Sequence, residues 1–129
     1  MTMFLFVLLS AALLSLAGCG GSSSPTDCGP VGLNVTPASM TVDHTALPPA
    51  NSQTFSASFQ FSNKPGCPAV TAALVSSNWT VSDPSVHLST MPASQISATC
   101  TAAVANPVTI TATAATGQAF TGQASLSCK

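Results

Sequence analysis

The sequence contains no glutamate, no arginine and no tyrosine, and its only charged residues are two lysines and three aspartates. So few basic side chains cannot form the positive surface that nucleic acid or anionic lipid requires, and we expect no nucleic-acid partner. The absence of Glu and Arg removes two good helix formers and argues against a helical fold. The three aspartates, all in predicted loops, are too few for a paired-carboxylate glycosidase site or a calcium site.

The residues that are present favour a folded β-protein. Hydrophobic residues make up 46% of the chain, which is too high for a disordered segment. Val, Thr and Phe recur in alternation with small and polar residues, as is typical of half-buried strands. A length of 129 residues leaves room for one domain of about a hundred residues after a targeting segment.

The first eighteen residues are similar to a bacterial export signal. Residues 4–16 form an apolar run of about 13 residues, shorter than the roughly 20 needed to cross a bilayer as a helix. The run ends in Leu16, Ala17, Gly18 and Cys19, which resembles the lipobox of bacterial lipoproteins. The resemblance implies cleavage between Gly18 and Cys19 and attachment of diacylglycerol to the Cys19 thiol.

The same resemblance implies a tethered protein. Two or three acyl chains on Cys19 would anchor it stably, because each buried methylene contributes about 0.8 kcal/mol. The Gly/Ser-rich residues 19–27 are expected to serve as a flexible linker. Residues 1–6 depart from the pattern because they carry no lysine or arginine. The α-amino group then supplies the only positive charge, unless the true start lies upstream. The alternative is an ordinary secretory signal in which Cys19 is incidental.

From residue 28 onward, alternating apolar and polar residues predict about seven β-strands separated by turn-forming residues. The clearest strand is residues 54–61, and the first strand is expected to kink or split at Pro37. We therefore expect residues 28–129 to form an antiparallel β-sandwich rather than a barrel. Five large side chains are predicted in its core: Phe55, Phe59, Trp79, Ile110 and Leu126.

Four segments resemble the bacterial immunoglobulin-like domains of invasin- and intimin-type adhesins. They are residues 35–39 (VTPAS), 53–57 (QTFSA), 77–86 (SNWTVSDPSV) and 108–114 (VTITATA). These segments occur in the family's order and cover most of residues 31–127. The resemblance implies an all-β, immunoglobulin-like sandwich that binds, adheres or acts as a spacer rather than a catalyst. The chain departs from the family at residues 102–107, which replace a glycine-rich link, and in carrying four cysteines after Cys19.

An even number of cysteines in an exported domain suggests two disulfides, for which three pairings are possible. If the strands are arranged as in immunoglobulin-like folds, the start of the first strand lies beside the end of the second. The last two strands then run antiparallel to each other. This arrangement pairs Cys28 with Cys67 and Cys100 with Cys128. The alternative, a four-thiolate zinc site, lacks a C-x-x-C pair.

Together these features predict an exported lipoprotein of the bacterial cell envelope, held in the outer membrane by the lipid on Cys19. Its immunoglobulin-like module is expected to bind a glycan or an envelope protein, or to serve as a structural subunit of a surface assembly. No enzymatic activity, cofactor or metal is expected. The alternatives are a passive spacer and a small envelope hydrolase in which His44 or His87 activates a serine, although no G-x-S-x-G motif is present.

Overall fold

The computed structural model describes residues 27–89, 93–117 and 119–129. Within these ranges the chain forms eight β-strands and no helix, and the strands build two four-stranded sheets packed as a sandwich. The predicted all-β sandwich is confirmed, with one strand more than the seven expected. The predicted lipidation and cleavage site at Gly18 and Cys19 lies outside the described residues.

The strand order is that of an immunoglobulin-like sandwich. The first sheet contains, in spatial order, β1 (Pro30–Thr36), β3 (Ser52–Phe61), β6 (Gln95–Cys100) and β5 (Val86–Leu88). The second contains β2 (Ser39–Val42), β8 (Thr121–Cys128), β7 (Val108–Ala114) and β4 (Ser77–Val81). Neighbouring strands are antiparallel except for β2 and β8, which run parallel.

Pro37 lies where the chain passes from one sheet to the other. β1 ends at Thr36 in the first sheet, and β2 begins at Ser39 in the second. Proline has no backbone N–H and cannot donate to a strand ladder, so the pairing stops there. The split expected at Pro37 is therefore confirmed, and it accounts for the eighth strand.

The core lies between the sheets and follows the alternation of the sequence. Phe55, Trp79, Ile110 and Leu126 are completely buried. Burial of each such side chain contributes about 1.5–3 kcal/mol. The indole N–H of Trp79 donates to a backbone carbonyl at 2.7 Å, so the ring is buried without losing its hydrogen bond. Phe59, expected in the core, is only partly buried and packs against the core's margin, because it lies near the end of β3.

Two disulfides lie at opposite ends of the sandwich, and they are the two pairs expected from the strand arrangement. Cys28, just before β1, is bonded to Cys67, beyond the end of β3. Cys100 ends β6 and Cys128 ends β8, so their disulfide joins the two sheets. We call the two ends of the domain the Cys28 end and the Cys128 end. Because the pairs are so far apart, the four sulfurs do not converge on a common site.

β1 and the start of β8, which belong to opposite sheets, approach each other closely at Gly122. This glycine is buried, and a Cβ placed on it would lie 2.5 Å from the backbone oxygen of Leu33. That distance is far inside van der Waals contact, so only a residue without a Cβ fits here. The glycine therefore allows one side of the sandwich to close.

Candidate functional site

A groove opens on the surface at the Cys28 end. It has a volume of about 460 Å³ and is bounded by β1, β3 and the segment that follows β3. Its lining contains three carboxamides, one hydroxyl, two phenylalanine rings and small apolar residues: Asn34, Phe59, Gln60, Phe61, Ser62, Asn63, Cys67, Pro68, Ala69, Val70 and Ala72. None of these side chains is ionisable once Cys67 is in its disulfide. The groove is therefore suited to an uncharged partner.

The carboxamides of the groove come from three places in the chain. Asn34 and Gln60 face outward from β1 and β3, because they alternate with the inward-facing residues of those strands. Asn63 lies two residues beyond the end of β3. In the described part of the chain, no intramolecular hydrogen bond engages these three side chains. They can both donate and accept hydrogen bonds, so they are available to a bound group.

The aromatic residues of the groove belong to a cluster at the same end. The rings of Phe59 and Phe61 meet edge to face at 6.2 Å between centroids, and those of Phe59 and Phe120 do the same at 6.2 Å. All three rings are partly buried. Because Phe59 packs on Phe120, which precedes β8 of the opposite sheet, the cluster lies at the margin of the core behind the groove.

The far wall of the groove belongs to the 65–74 segment, which reads PGCPAVTAAL and carries no charge. Every residue in it except Cys67 is exposed. Val70 is 47% exposed and Leu74 is 55% exposed. On β1, Val31 is the extra residue of a β-bulge and is 56% exposed. Three of the domain's large exposed apolar side chains thus lie toward the Cys28 end.

The 65–74 segment is held to the body of the domain at two points. The Cys28–Cys67 disulfide fixes it beside the start of β1, with a Cα–Cα distance of 5.3 Å. Further along, the N–H of Phe59 donates to the carbonyl of Ala73, and the N–H of Val75 donates to the carbonyl of Ala57. The segment therefore presents its apolar side chains from a fixed position.

A second groove of about 790 Å³ runs along the seam between β1 and β8. It is a shallow opening lined by Leu33, Asn34, Val35, Thr36, Ala38, Thr121, Gly122 and Gln123. Neither an aromatic ring nor an ionisable side chain contributes to this lining. The seam therefore offers less binding chemistry than the groove at the Cys28 end.

Both histidines lie away from the groove, toward the Cys128 end. The His44 ring nitrogen Nδ1 contacts the backbone oxygen of Lys129. His87 is exposed on β5, opposite Thr99 of β6. Among the described residues, neither imidazole is hydrogen-bonded to a serine hydroxyl.

Two aspartates near the Cys128 end stabilise their own turns. The Thr45 hydroxyl and N–H donate to Asp43, and these bonds lower the pKa of the Asp43 carboxyl. The Ser85 N–H donates to Asp83 at 2.8 Å and lowers the pKa of that carboxyl in the same way. Both carboxylates therefore act as turn-forming hydrogen-bond acceptors.

The chain matches no protein family, and no curated protein matches it. In residues 27–89, 93–117 and 119–129 no helix has the length and hydrophobicity to cross a membrane. Over the same ranges, no three potential metal ligands come together.

Sequence reasoning did not identify this groove. The carboxamides of Asn34 and Gln60 are part of ordinary alternating strands, and residues 63–68 (NKPGCP) have the Pro-Gly composition of a loop or turn. One signal was present, because residues 65–74 combine high apolar content with no alternation and no charge. Such a run outside a predicted strand indicates an exposed apolar surface.

Proposed function

We propose that this protein is a lipid-anchored lipoprotein of the bacterial cell envelope, whose immunoglobulin-like domain acts as a binding module. The lipobox at Leu16, Ala17, Gly18 and Cys19 supports the anchor. Two disulfides in so small a domain support export to an oxidising compartment. The outer membrane is the proposed location.

The groove at the Cys28 end is the single observation that favours binding over a passive spacer role. A spacer needs only a polar, unreactive surface, and the Ser- and Thr-rich outer faces of the sheets would suffice. The groove instead combines three unengaged carboxamides with phenylalanine rings and exposed aliphatic side chains. Such a mixture of apolar surface and a few polar groups is typical of binding sites.

The partner classes that suit this groove are a glycan or an uncharged part of an envelope protein. Carboxamides match hydroxyl and peptide groups because they donate and accept hydrogen bonds. The hydrolase alternative lacks comparable support, since neither His44 nor His87 lines the groove and, among the described residues, neither is hydrogen-bonded to a serine hydroxyl. We therefore propose a role without catalysis.

The binding proposal is tested by photo-crosslinking in the native envelope. One full-length chain carries a photoreactive residue at position 60, in the groove, and a control chain carries it at position 123. Gln60 and Gln123 are both exposed strand glutamines, but they lie on different sheets. We expect a discrete adduct from position 60 and none from position 123. Equal yields from both positions, or no adduct from position 60, would contradict a binding role for this groove.

A further inference from the structure

We propose that the exposed apolar side chains of the 65–74 segment contact the lipid bilayer in which the anchor itself is inserted. This inference rests on the proposed acylation of Cys19. It goes beyond the proposed function, because the glycan or envelope-protein partner is proposed for the groove, whereas the bilayer contact is made by the exposed apolar side chains of the 65–74 segment at the rim of that groove. It also predicts which end of the domain faces the membrane.

The first argument is the reach of the chain outside the described residues. Cys19 and Cys28 are nine residues apart, so the connection between them spans at most about 30 Å even when fully extended. The Cys28–Cys67 disulfide holds the 65–74 segment at the end of that connection. An anchor at Cys19 therefore keeps Cys67, whose Cα lies 5.3 Å from that of Cys28, within about 35 Å of the bilayer.

The Cys128 end is much farther away. β3 runs from the Cys128 end to the Cys28 end and contains ten residues, which corresponds to a length of about 33 Å. Leu47, in the loop before β3, is 83% exposed and lies at the distant end. Leu74 lies opposite Ser58, three residues before the Cys28 end of β3, and Leu47 lies beyond the other end of the strand. These two exposed leucines therefore provide a pair for comparison, with Leu74 nearer to the anchor.

The second argument is the chemistry of the surface. Val31, Val70 and Leu74 expose half or nearly half of their side chains, and the 65–74 segment has no charge that burial in lipid would have to desolvate. Asp43 and Asp83 lie toward the opposite end, whereas Asp27 immediately precedes Cys28 at this end and lies outside the 65–74 segment. Apolar side chains carried on an anchored protein need little intrinsic affinity, because tethering gives them a millimolar effective concentration at the bilayer.

The contact is expected to depend on apolar burial rather than on charge. Lys64 is the only basic residue beside the segment, which is too little for attraction to anionic headgroups to dominate. The fixed attachment of the segment at Cys67 and at residues 73–75 means that little chain entropy is lost when it meets the membrane. The extent of contact between the 65–74 segment and the bilayer should therefore change little with salt concentration or with the fraction of anionic lipid.

The test uses the full-length, acylated protein in vesicles of phosphatidylethanolamine and phosphatidylglycerol. One chain carries an aliphatic diazirine residue at position 74, and the control chain carries it at position 47. After irradiation, lipid adducts are counted by mass spectrometry. We expect at least roughly tenfold more lipid adduct from position 74 than from position 47, since only the former reaches the acyl boundary.

Equal lipid labelling at positions 74 and 47 would overturn the inference. The mass of the N-terminal peptide from the same sample separates this failure from that of the proposed function. An acylated Cys19 with no preference for position 74 refutes the lipid contact alone. An unacylated Cys19 refutes both proposals.

Hydrogen exchange provides a second readout. Amides of the 65–74 segment should exchange more slowly in the vesicle-bound protein than in an unanchored Cys19→Ser protein. The double substitution Val70→Gln and Leu74→Gln should abolish that protection, whereas Leu47→Gln should preserve it. Protection that survives the double substitution would contradict contact through these side chains.

Discussion

Each disulfide stabilises the domain in two ways: it restricts the unfolded chain, and its sulfur atoms fill space in the folded domain. These two contributions predict opposite rankings of the two disulfides. In the chain-entropy account, the Cys28–Cys67 bond closes a loop with a sequence separation of 39 and contributes about 3.9 kcal/mol. The Cys100–Cys128 bond, with a separation of 28, contributes about 3.6 kcal/mol. Loop entropy alone therefore makes the Cys28–Cys67 bond slightly more stabilising than the Cys100–Cys128 bond.

Burial reverses that order. Cys100 and Cys128 are 1% and 2% exposed, whereas Cys28 and Cys67 are only partly buried. Replacing two buried sulfurs by hydrogen adds a transfer and cavity cost of about 1 kcal/mol each. We therefore expect Cys100→Ala with Cys128→Ala to cost about 5–6 kcal/mol, and Cys28→Ala with Cys67→Ala to cost about 4 kcal/mol.

The assay is urea unfolding followed by the fluorescence of the single tryptophan, Trp79. Losses of this size approach the whole stability of a small domain, so all variants are compared at one concentration of a stabilising osmolyte. A double Cys→Ser replacement at the buried pair should be worse still, because it leaves two buried hydroxyls to satisfy. If the Cys28 and Cys67 variant proves the less stable one, the argument from burial is refuted.

Three further changes test other parts of the account. Gly122→Ala should cost about 1–3 kcal/mol of unfolding free energy, because its Cβ would meet the backbone oxygen of Leu33 at 2.5 Å. Gly32→Ala should be tolerated, because the added Cβ would meet only a flexible side chain. Equal urea midpoints for the two variants would contradict this prediction. Trp79→Phe should cost about 1–3 kcal/mol in circular-dichroism melts, because a buried hydrogen bond at 2.7 Å is lost with the indole. The folded-state pKa of Asp83 is lowered, so its contribution is present above the ordinary value of 3.8 and is lost as the pH falls through the depressed pKa. In the Asp83→Asn variant, the urea midpoint should therefore fall less steeply at acid pH than in the unaltered protein. An identical pH profile for the two proteins would contradict this contribution of Asp83.

Much of the fold could be predicted from alternation alone. Phe55, Ile110 and Leu126 lie on three different strands, and in each strand buried residues recur at every second position around them. That period arises because only one face of each strand is turned toward the core. The disulfide pairing followed from the expected strand order, because strand direction determines which chain ends meet. Pro37 marked the exchange between sheets because proline cannot continue a ladder.

The groove could not be predicted in the same way. Its walls come from the 65–74 segment, whose position depends on the disulfide to Cys28 and on backbone hydrogen bonds to β3 rather than on local pattern. Phe59 continues the alternation of Phe55, yet it is only partly buried because β3 extends to the end of the sandwich. Periodicity reports which face a side chain occupies, but it does not report where the opposing sheet ends.

Mass spectrometry of the mature N-terminus tests the central claim most directly. The account predicts that the mature chain begins at Cys19 and that this residue carries a diacylglycerol thioether, with a further acyl chain on its amine. Cys19→Ser should then release the domain in unanchored form. A mature chain that retains an unmodified Cys19 after cleavage elsewhere would contradict the account, and with it the membrane-facing orientation of the Cys28 end.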